Sequence, residues 1–276
     1  DHPVEIEEGD DIAFDQLQPV GDLAEPSEGP QVKELQAIAQ RRGLAVVAGF
    51  AERAEGRVFN SLVMVEGEGR PQVYRKTHLY ADYERGLFTS GKAAAALRDF
   101  RGLKLGFLIC YDVEFPENVR RLAKAGAELI LVPTALPQGP FAAFIAGSVV
   151  PVRAFENQVF VVYANHAGKD ANFAYAGLSR AVGPDGRCLA AAPDDRPALL
   201  FADLDPAAYE ASRTALERLK TEIPIWKREH GPDGPYWVGW EDARCTGHEH
   251  GSSAHEAPAQ DSHQHGRGSP ERPGED

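Results

Sequence analysis

Gly106-Phe107-Leu108-Ile109-Cys110-Tyr111-Asp112-Val113-Glu114-Phe115-Pro116-Glu117 is the most informative stretch of this 276-residue chain. An apolar strand, Leu103 to Ile109, runs straight into a cysteine, and a turn and a proline-initiated helix follow. A thiol at a strand end can face a pocket, where nearby backbone N–H groups receive an oxyanion. A cysteine closing an apolar run can equally be inert packing. The flanking sequence therefore has to decide between the two.

Working outward, apolar runs alternate with helical periodicity. Upstream, Val32 to Arg42 reads as a helix with Gly43 as its C-terminal cap. Leu44 to Phe50 is a continuous apolar run, expected of a strand covered on both faces. Val58 to Val65 follows as a strand, then a Gly67/Gly69 turn and a short strand ending at Tyr74. Downstream, a helix runs from Pro116 to Ala125 and Gly126 ends it. Strand Leu129–Val132, helix Phe141–Asn157 and strand Val159–Ala164 continue the pattern, with Pro151 expected to break or kink the helix near its middle. Two more strands are expected at Ser179–Val182 and Leu199–Leu204, and a last helix from Pro206 to Lys220. This alternation predicts an α/β protein.

The stretch around Cys110 resembles the nucleophile motif of the nitrilase superfamily, the carbon–nitrogen hydrolases, nearly letter for letter. Tyr74-Arg75-Lys76-Thr77-His78-Leu79, with its lysine 34 residues before Cys110, resembles that family's lysine motif. Leu129 to Thr134 is similar to the next core strand. Arg153-Ala154-Phe155-Glu156-Asn157, followed by Val161 to Asn165, is similar to another family block. The resemblance spans roughly residues 22–205 and implies an αββα four-layer sandwich of the nitrilase type. The family's first strand and first helix are absent from that frame. The resemblance further implies a homodimer or higher homo-oligomer.

Splitting a carbon–nitrogen bond requires a nucleophile, a holder for the oxyanion and an acid for the departing nitrogen. Cys110 is the expected nucleophile. By the resemblance, the Lys76 ammonium and the Tyr111 backbone N–H receive the oxyanion. Glu84, eight residues after Lys76, matches the family's auxiliary active-site glutamate. The family's general base sits in a Phe-Pro-Glu motif whose position here falls near residues 4–7. The local text is Pro3-Val4-Glu5-Ile6-Glu7-Glu8-Gly9, so Glu5 and Glu7 both stand as alternatives to a base lost upstream. His78 tempts as a base beside a thiol, but a structural histidine is expected there. Glu114 and Glu117 also match the motif, Glu117 in a helical first turn where a carboxylate suits the dipole. Asn165 and His166 are expected near the pocket. The activity implied is hydrolysis of a small carboxamide through a thioester on Cys110, with no metal or organic cofactor. Nitrile hydrolysis, N-carbamoyl-amine hydrolysis and a non-catalytic binding subunit stand as alternatives.

Composition narrows the partners. Of the net charge of −13, residues 1–32 contribute ten acidic and no basic side chains, and residues 33–240 are close to neutral at +2. Nucleic-acid binding, which wants a basic face, is not expected. No run of 18 apolar residues and no signal peptide are present, so neither a membrane span nor export is expected. Cys110, Cys188 and Cys245 are too few and scattered for a disulfide framework, which predicts a cytoplasmic protein with a free working thiol. The hydrolase domain is expected over residues 1–240. Residues 241–276, rich in His, Gly, Ser and Pro, read as a disordered acidic tail. The ragged cluster Cys245, His248 and His250 is not expected to hold a physiological metal.

Overall fold

The computed structural model describes residues 19–239, apart from 93–94, 194–195, 208, 212–213, 215–225 and 232–233. The chain divides into a unit ending at Leu219 and a second unit from Lys220.

In the first unit, α1 (Pro19–Leu23) leads to α2 (Pro30–Arg42). The Glu25 carboxylate accepts from the N–H groups of Gln31 and Val32, at 3.2 and 3.1 Å, and so satisfies two donors of the α2 N-terminus. Gly43 ends α2 with φ +64°, donating to Gln40 O while Leu44 N–H reaches back to Ala39 O at 3.1 Å. That cap uses Leu44, so the strand expected from Leu44 begins at Val46.

Strands β1 (Val46–Ala54), β2 (Arg57–Val65) and β3 (Gln72–Arg75) form an antiparallel sheet in that order. Alternation along β2 sends Val63 and Val65 under α2, with Val32 and Ala39, and sends Leu62 and Met64 to the opposite face. β1 is only half-buried along most of its length, not covered on both faces as expected. α2 lies over Val63 and Val65 of β2, and among the described residues the outer edge of β1 meets only a one-residue parallel bridge from Glu25 to Glu52.

After α3 (Ala81–Leu87), the strands β4 (Leu97–Phe100), β5 (Leu103–Phe107), β6 (Leu129–Thr134), β7 (Phe160–Asn165), β10 (Arg180–Val182) and β11 (Cys188–Ala191) build a six-stranded sheet. Its order is β11-β10-β7-β6-β5-β4, with β5, β6 and β7 parallel. A two-stranded ribbon, β8 (Ala167–Lys169) and β9 (Ala174–Ala176), projects after β7. Leu62, Met64 and Tyr74 of the first sheet share one core with Leu105, Phe107, Ile130 and Val132 of the second. α4 (Pro116–Lys124) and α6 (Val150–Asn157) pack on the second sheet's outer side through Val119, Leu122, Val150 and Ala154. The layers are thus α2, sheet, sheet, α4 with α6. Gly106 permits a close approach of the helical layer to β5: a Cβ there would lie 3.2 Å from Ala127 and from Leu122.

Two local expectations change. The helix expected over Phe141–Asn157 does not break at Pro151. It opens as α5 (Ala142–Phe144), widens into a π turn over Ile145–Val149, and resumes as α6. A proline ring collides with the carbonyl four residues back, and the wider turn over Gly147 accommodates it. Residues 199–204 form no strand: Leu199 and Phe201 are 80 and 81 % exposed, while Leu204 packs against the core. The helix expected from Pro206 lies largely outside the described residues, as does the 241–276 tail. In the second unit, β12 (Trp226–Gly231) and β13 (Gly234–Gly239) form an antiparallel hairpin that the sequence reading did not anticipate.

A part-buried ion pair ties β1 to β3. The Glu52 carboxylate takes both Arg75 Nε and Nη2 at 2.8 Å and Ser61 Oγ at 2.7 Å, while the guanidinium lies 4.0 Å over the Phe59 ring. Burial alone would raise the Glu52 pKa, but the Arg75 and Ser61 hydrogen bonds outweigh it and hold the group below the ordinary carboxylate range. The pair's contribution is therefore complete above that range and lost as pH falls through the lowered value. Glu52→Gln is expected to cost about 1–3 kcal/mol at neutral pH. Parallel denaturant titrations should show the gap to wild type closing at acid pH; a constant gap would refute this account.

Candidate active site

The carboxyl ends of β3, β5, β6 and β7 open onto one cavity of about 980 Å³. Lys76 leaves β3 with its N–H donating to Asn60 O and its carbonyl accepting from Gly91 N, both at 2.8 Å. Glycine is required opposite, since a Cβ on residue 91 would sit 2.4 Å from the Arg75 carbonyl oxygen. The Lys76 side chain then turns inward and is 1 % exposed. Its Nζ lies 2.8 and 2.7 Å from the two carboxylate oxygens of Glu84 on α3. Asn60 Nδ2 and the Tyr80 N–H complete the donors to Glu84, at 3.2 and 2.6 Å. A buried ammonium is tolerable only with such a partner.

Cys110 stands where the chain leaves β5 and enters a 3₁₀ turn, Cys110–Glu114. Its φ of +45° is a left-handed conformation uncommon for a residue with a Cβ, and strain of this kind collects at functional sites. Asp112, fully buried, pins the elbow. Its Oδ2 accepts from Ile109 N–H at 3.2 Å and from Tyr74 O–H at 2.9 Å. Its Oδ1 accepts from Thr77 O–H and His78 N–H, each at 2.9 Å, and lies 3.0 Å from His78 Nδ1. One carboxylate thereby fastens the turn bearing Cys110 to the strand end bearing Lys76, across the two sheets. Asparagine offers one acceptor oxygen instead of two and points an NH₂ at donors. Asp112→Asn is expected to cost about 2–3 kcal/mol in denaturant unfolding and to lower hydrolysis by more than thermal loss explains. Wild-type stability in this variant would contradict the stapling role.

Burial is the main influence on the Cys110 thiol and raises its pKa. The Lys76 charge and the Ala135 N–H oppose that shift, and the Glu84 and Glu114 carboxylates reinforce it. The resting group is a neutral thiol that needs a proton acceptor to attack. The Tyr111 N–H begins the 3₁₀ turn, where N–H groups lack intrahelical partners, and Tyr111 lines the cavity beside Cys110. Tyr80, Tyr83, Tyr111 and Phe173 form a chain of ring contacts along the wall, with centroids 5.1–6.4 Å apart.

Four residues expected from the sequence, Cys110, Lys76, Glu84 and Tyr111, thus meet at one cavity, and Asn165 and His166 also line it. His78 has the structural setting expected of it: its ring stacks on Phe115 at 3.9 Å and binds Asp112. Glu5, Glu7, Cys245 and the tail histidines lie outside the described residues. Sequence reasoning missed Asn60, Asp112 and the aromatic wall. Asp112 lies inside the quoted motif and had a visible signal, a carboxylate two residues past the nucleophile; Asn60 had none.

Comparisons with known proteins agree with this geometry. Residues 12–214 match the family model described as carbon-nitrogen hydrolase. A protein of Pseudomonas protegens named "Hydrolase in pqqF 5'region" is 45 % identical over 212 residues, covering 75 % of this chain and 73 % of that one. An (R)-stereoselective amidase of Pseudomonas sp. is 39 % identical over 220 residues, covering 75 and 78 %. Among solved structures, the NitN amidase of Nesterenkonia sp. AN1 superimposes with a TM-score of 0.59 at 35 % identity, over 67 % of this chain and 73 % of that one. Forms of that amidase carry an acrylamide adduct at the active-site cysteine or hold butyramide. The chain described here is a member of the carbon-nitrogen hydrolase family, an amidase-like, cysteine-dependent hydrolase of the nitrilase superfamily.

Proposed function

We propose that this protein hydrolyses a small primary carboxamide through a thioester on Cys110. The observation that carries this reading is the convergence of a strained, cavity-facing cysteine with a fully buried lysine held by a glutamate. Cys110 sulfur attacks the carbonyl carbon. Negative charge develops on the carbonyl oxygen, where the Lys76 ammonium and the Tyr111 N–H receive it. The carbon–nitrogen bond then breaks, and the proton lost by the thiol ends on the departing ammonia, carried by a carboxylate. Water attacks the thioester and restores the thiol with release of the acid.

Glu84 is the described carboxylate at the lysine. Its oxygens are filled by Lys76, Asn60 and Tyr80, so its role here is to hold the lysine aimed into the cavity. Glu5 and Glu7 stand among the alternatives for the proton carrier. Support for an amide over a nitrile comes from the amidase relatives, one of which holds butyramide.

The test is ammonia release from small primary amides, nitriles and N-carbamoyl amines, with intact-mass detection of the acyl group and mapping to the Cys110 peptide. Release from amides with an acyl adduct on Cys110 is expected. Release from nitriles or carbamoyl amines alone, or an adduct on Cys188, would overturn the reading.

A further inference from the structure

Three acidic side chains line the cavity among the described residues: Glu84, Glu114 and Asp170. Two of them are fully provided with donors. Glu84 accepts from Lys76, Asn60 and Tyr80. Asp170 accepts from the N–H groups of Asn172 and Phe173 and from Tyr175 O–H, at 2.8, 2.7 and 2.5 Å. Glu114 differs. It closes the 3₁₀ turn four residues after Cys110, is half-buried, and its carboxylate has no hydrogen-bond donor among the described residues.

The cations whose fields reach it are committed elsewhere. Lys76 Nζ is bound to Glu84. The Arg153 guanidinium donates to the backbone carbonyls of Val113 and Glu114 and to the Glu156 carboxylate, at 3.1, 2.7 and 3.1 Å. A half-buried carboxylate without a protein donor is left to water, and a ligand that displaces that water must bring a donor of its own. Consistent with this, burial pushes the Glu114 pKa up against the pull of Lys76 and Arg153.

The rest of the wall suits the same ligand. Tyr80, Tyr83, Tyr111 and Phe173 present aromatic surface to the cavity, and ring faces attract cations. Lys76 is the one lysine or arginine among the described lining residues and is neutralised by Glu84, which leaves Glu114 and Asp170 to make the space negative. An anionic substrate would meet repulsion there, whereas an ammonium group would find a charge-assisted partner.

We propose that Glu114 is a specificity-determining residue that binds a protonated amine on the acyl portion of the substrate, so that the preferred amides are cationic amino-amides. This rests on the proposed amide hydrolysis at Cys110 and names its substrate class.

The probes are glycinamide, 3-aminopropanamide and 4-aminobutanamide, compared with neutral butyramide and anionic succinamate. Wild type is expected to favour at least one amino-amide over butyramide by about tenfold or more in kcat/KM, the size of one charge-assisted hydrogen bond, and to favour succinamate least. In Glu114→Gln the ratio of amino-amide to butyramide should fall towards one. A ratio that is unchanged in Glu114→Gln while Cys110-dependent hydrolysis persists overturns the recognition role and leaves the proposed function standing. An equal loss on charged and neutral amides also overturns it, since that marks a group serving the chemistry. If no amide is turned over, the proposed function fails by itself. Calorimetric binding of the same probes to Cys110→Ala, with and without Glu114→Gln, still reads the preference: a Glu114-dependent ammonium preference supports the proposal, and its absence refutes it.

Discussion

Cys110→Ala is expected to lower amide hydrolysis by at least about 10⁴-fold, because removing a nucleophile takes away the covalent route as a whole. The fold should survive. Alanine is smaller, tolerates the same backbone as cysteine, and the side chain lines the cavity at the edge of the core. Circular dichroism and the melting temperature should therefore match wild type while ammonia release vanishes. Residual hydrolysis above one part in about 10³ would mean that another group attacks the carbonyl, and the mechanism at Cys110 would be wrong. The raised thiol pKa adds a second expectation. In free enzyme, alkylation by iodoacetamide should be slow at neutral pH and accelerate only as pH rises beyond the ordinary thiol range. Lys76→Met removes the charge that opposes the shift, so the same acceleration should move to still higher pH.

The parts of this molecule that were legible in the sequence are those where chemistry and local structure demand the same residues. The quoted motif predicted a strand, a turn and a helix because an apolar run and a proline each constrain the backbone locally. Gly43 announced the end of α2 for the same reason: only a left-handed residue closes that cap. What escaped notice depends on partners distant in sequence. Glu84 was legible through the family resemblance, which places a glutamate eight residues after the lysine, but Asn60, which shares its carboxylate, lies 24 residues earlier with no local signature. Asp112 stood inside the motif, yet its function is to reach Tyr74, Thr77 and His78 across the sheet interface, which no periodicity reveals. The run 199–204 misled in the opposite sense. Its apolar run matched a strand, but a strand also needs a sheet edge and a face to cover it, and Leu199 and Phe201 are largely exposed.

Lys76→Met separates what the lysine does for folding from what it does for the reaction. Taking away the ammonium leaves Glu84 charged, buried and short of its strongest donor. Breaking a buried pair from one side typically costs about 3–5 kcal/mol, which should appear as a lower denaturant midpoint with an unchanged slope. The reaction should fall by about 10²–10³-fold or more, the usual effect of losing an oxyanion donor. Stability loss alone could mimic the second effect, and a double variant removes that ambiguity. In Lys76→Met with Glu84→Gln, the orphaned charge is gone, while the glutamine amide oxygen still accepts from Asn60 or Tyr80. Most of the lost stability should return, because a neutral, hydrogen-bonded amide is far cheaper to bury than a single unpaired ion. Activity should not return. If the double variant recovers hydrolysis along with stability, Lys76 is a structural ion and the oxyanion is held elsewhere. If Lys76→Met is as stable as wild type, the pair is not the anchor of α3 that its two short contacts imply.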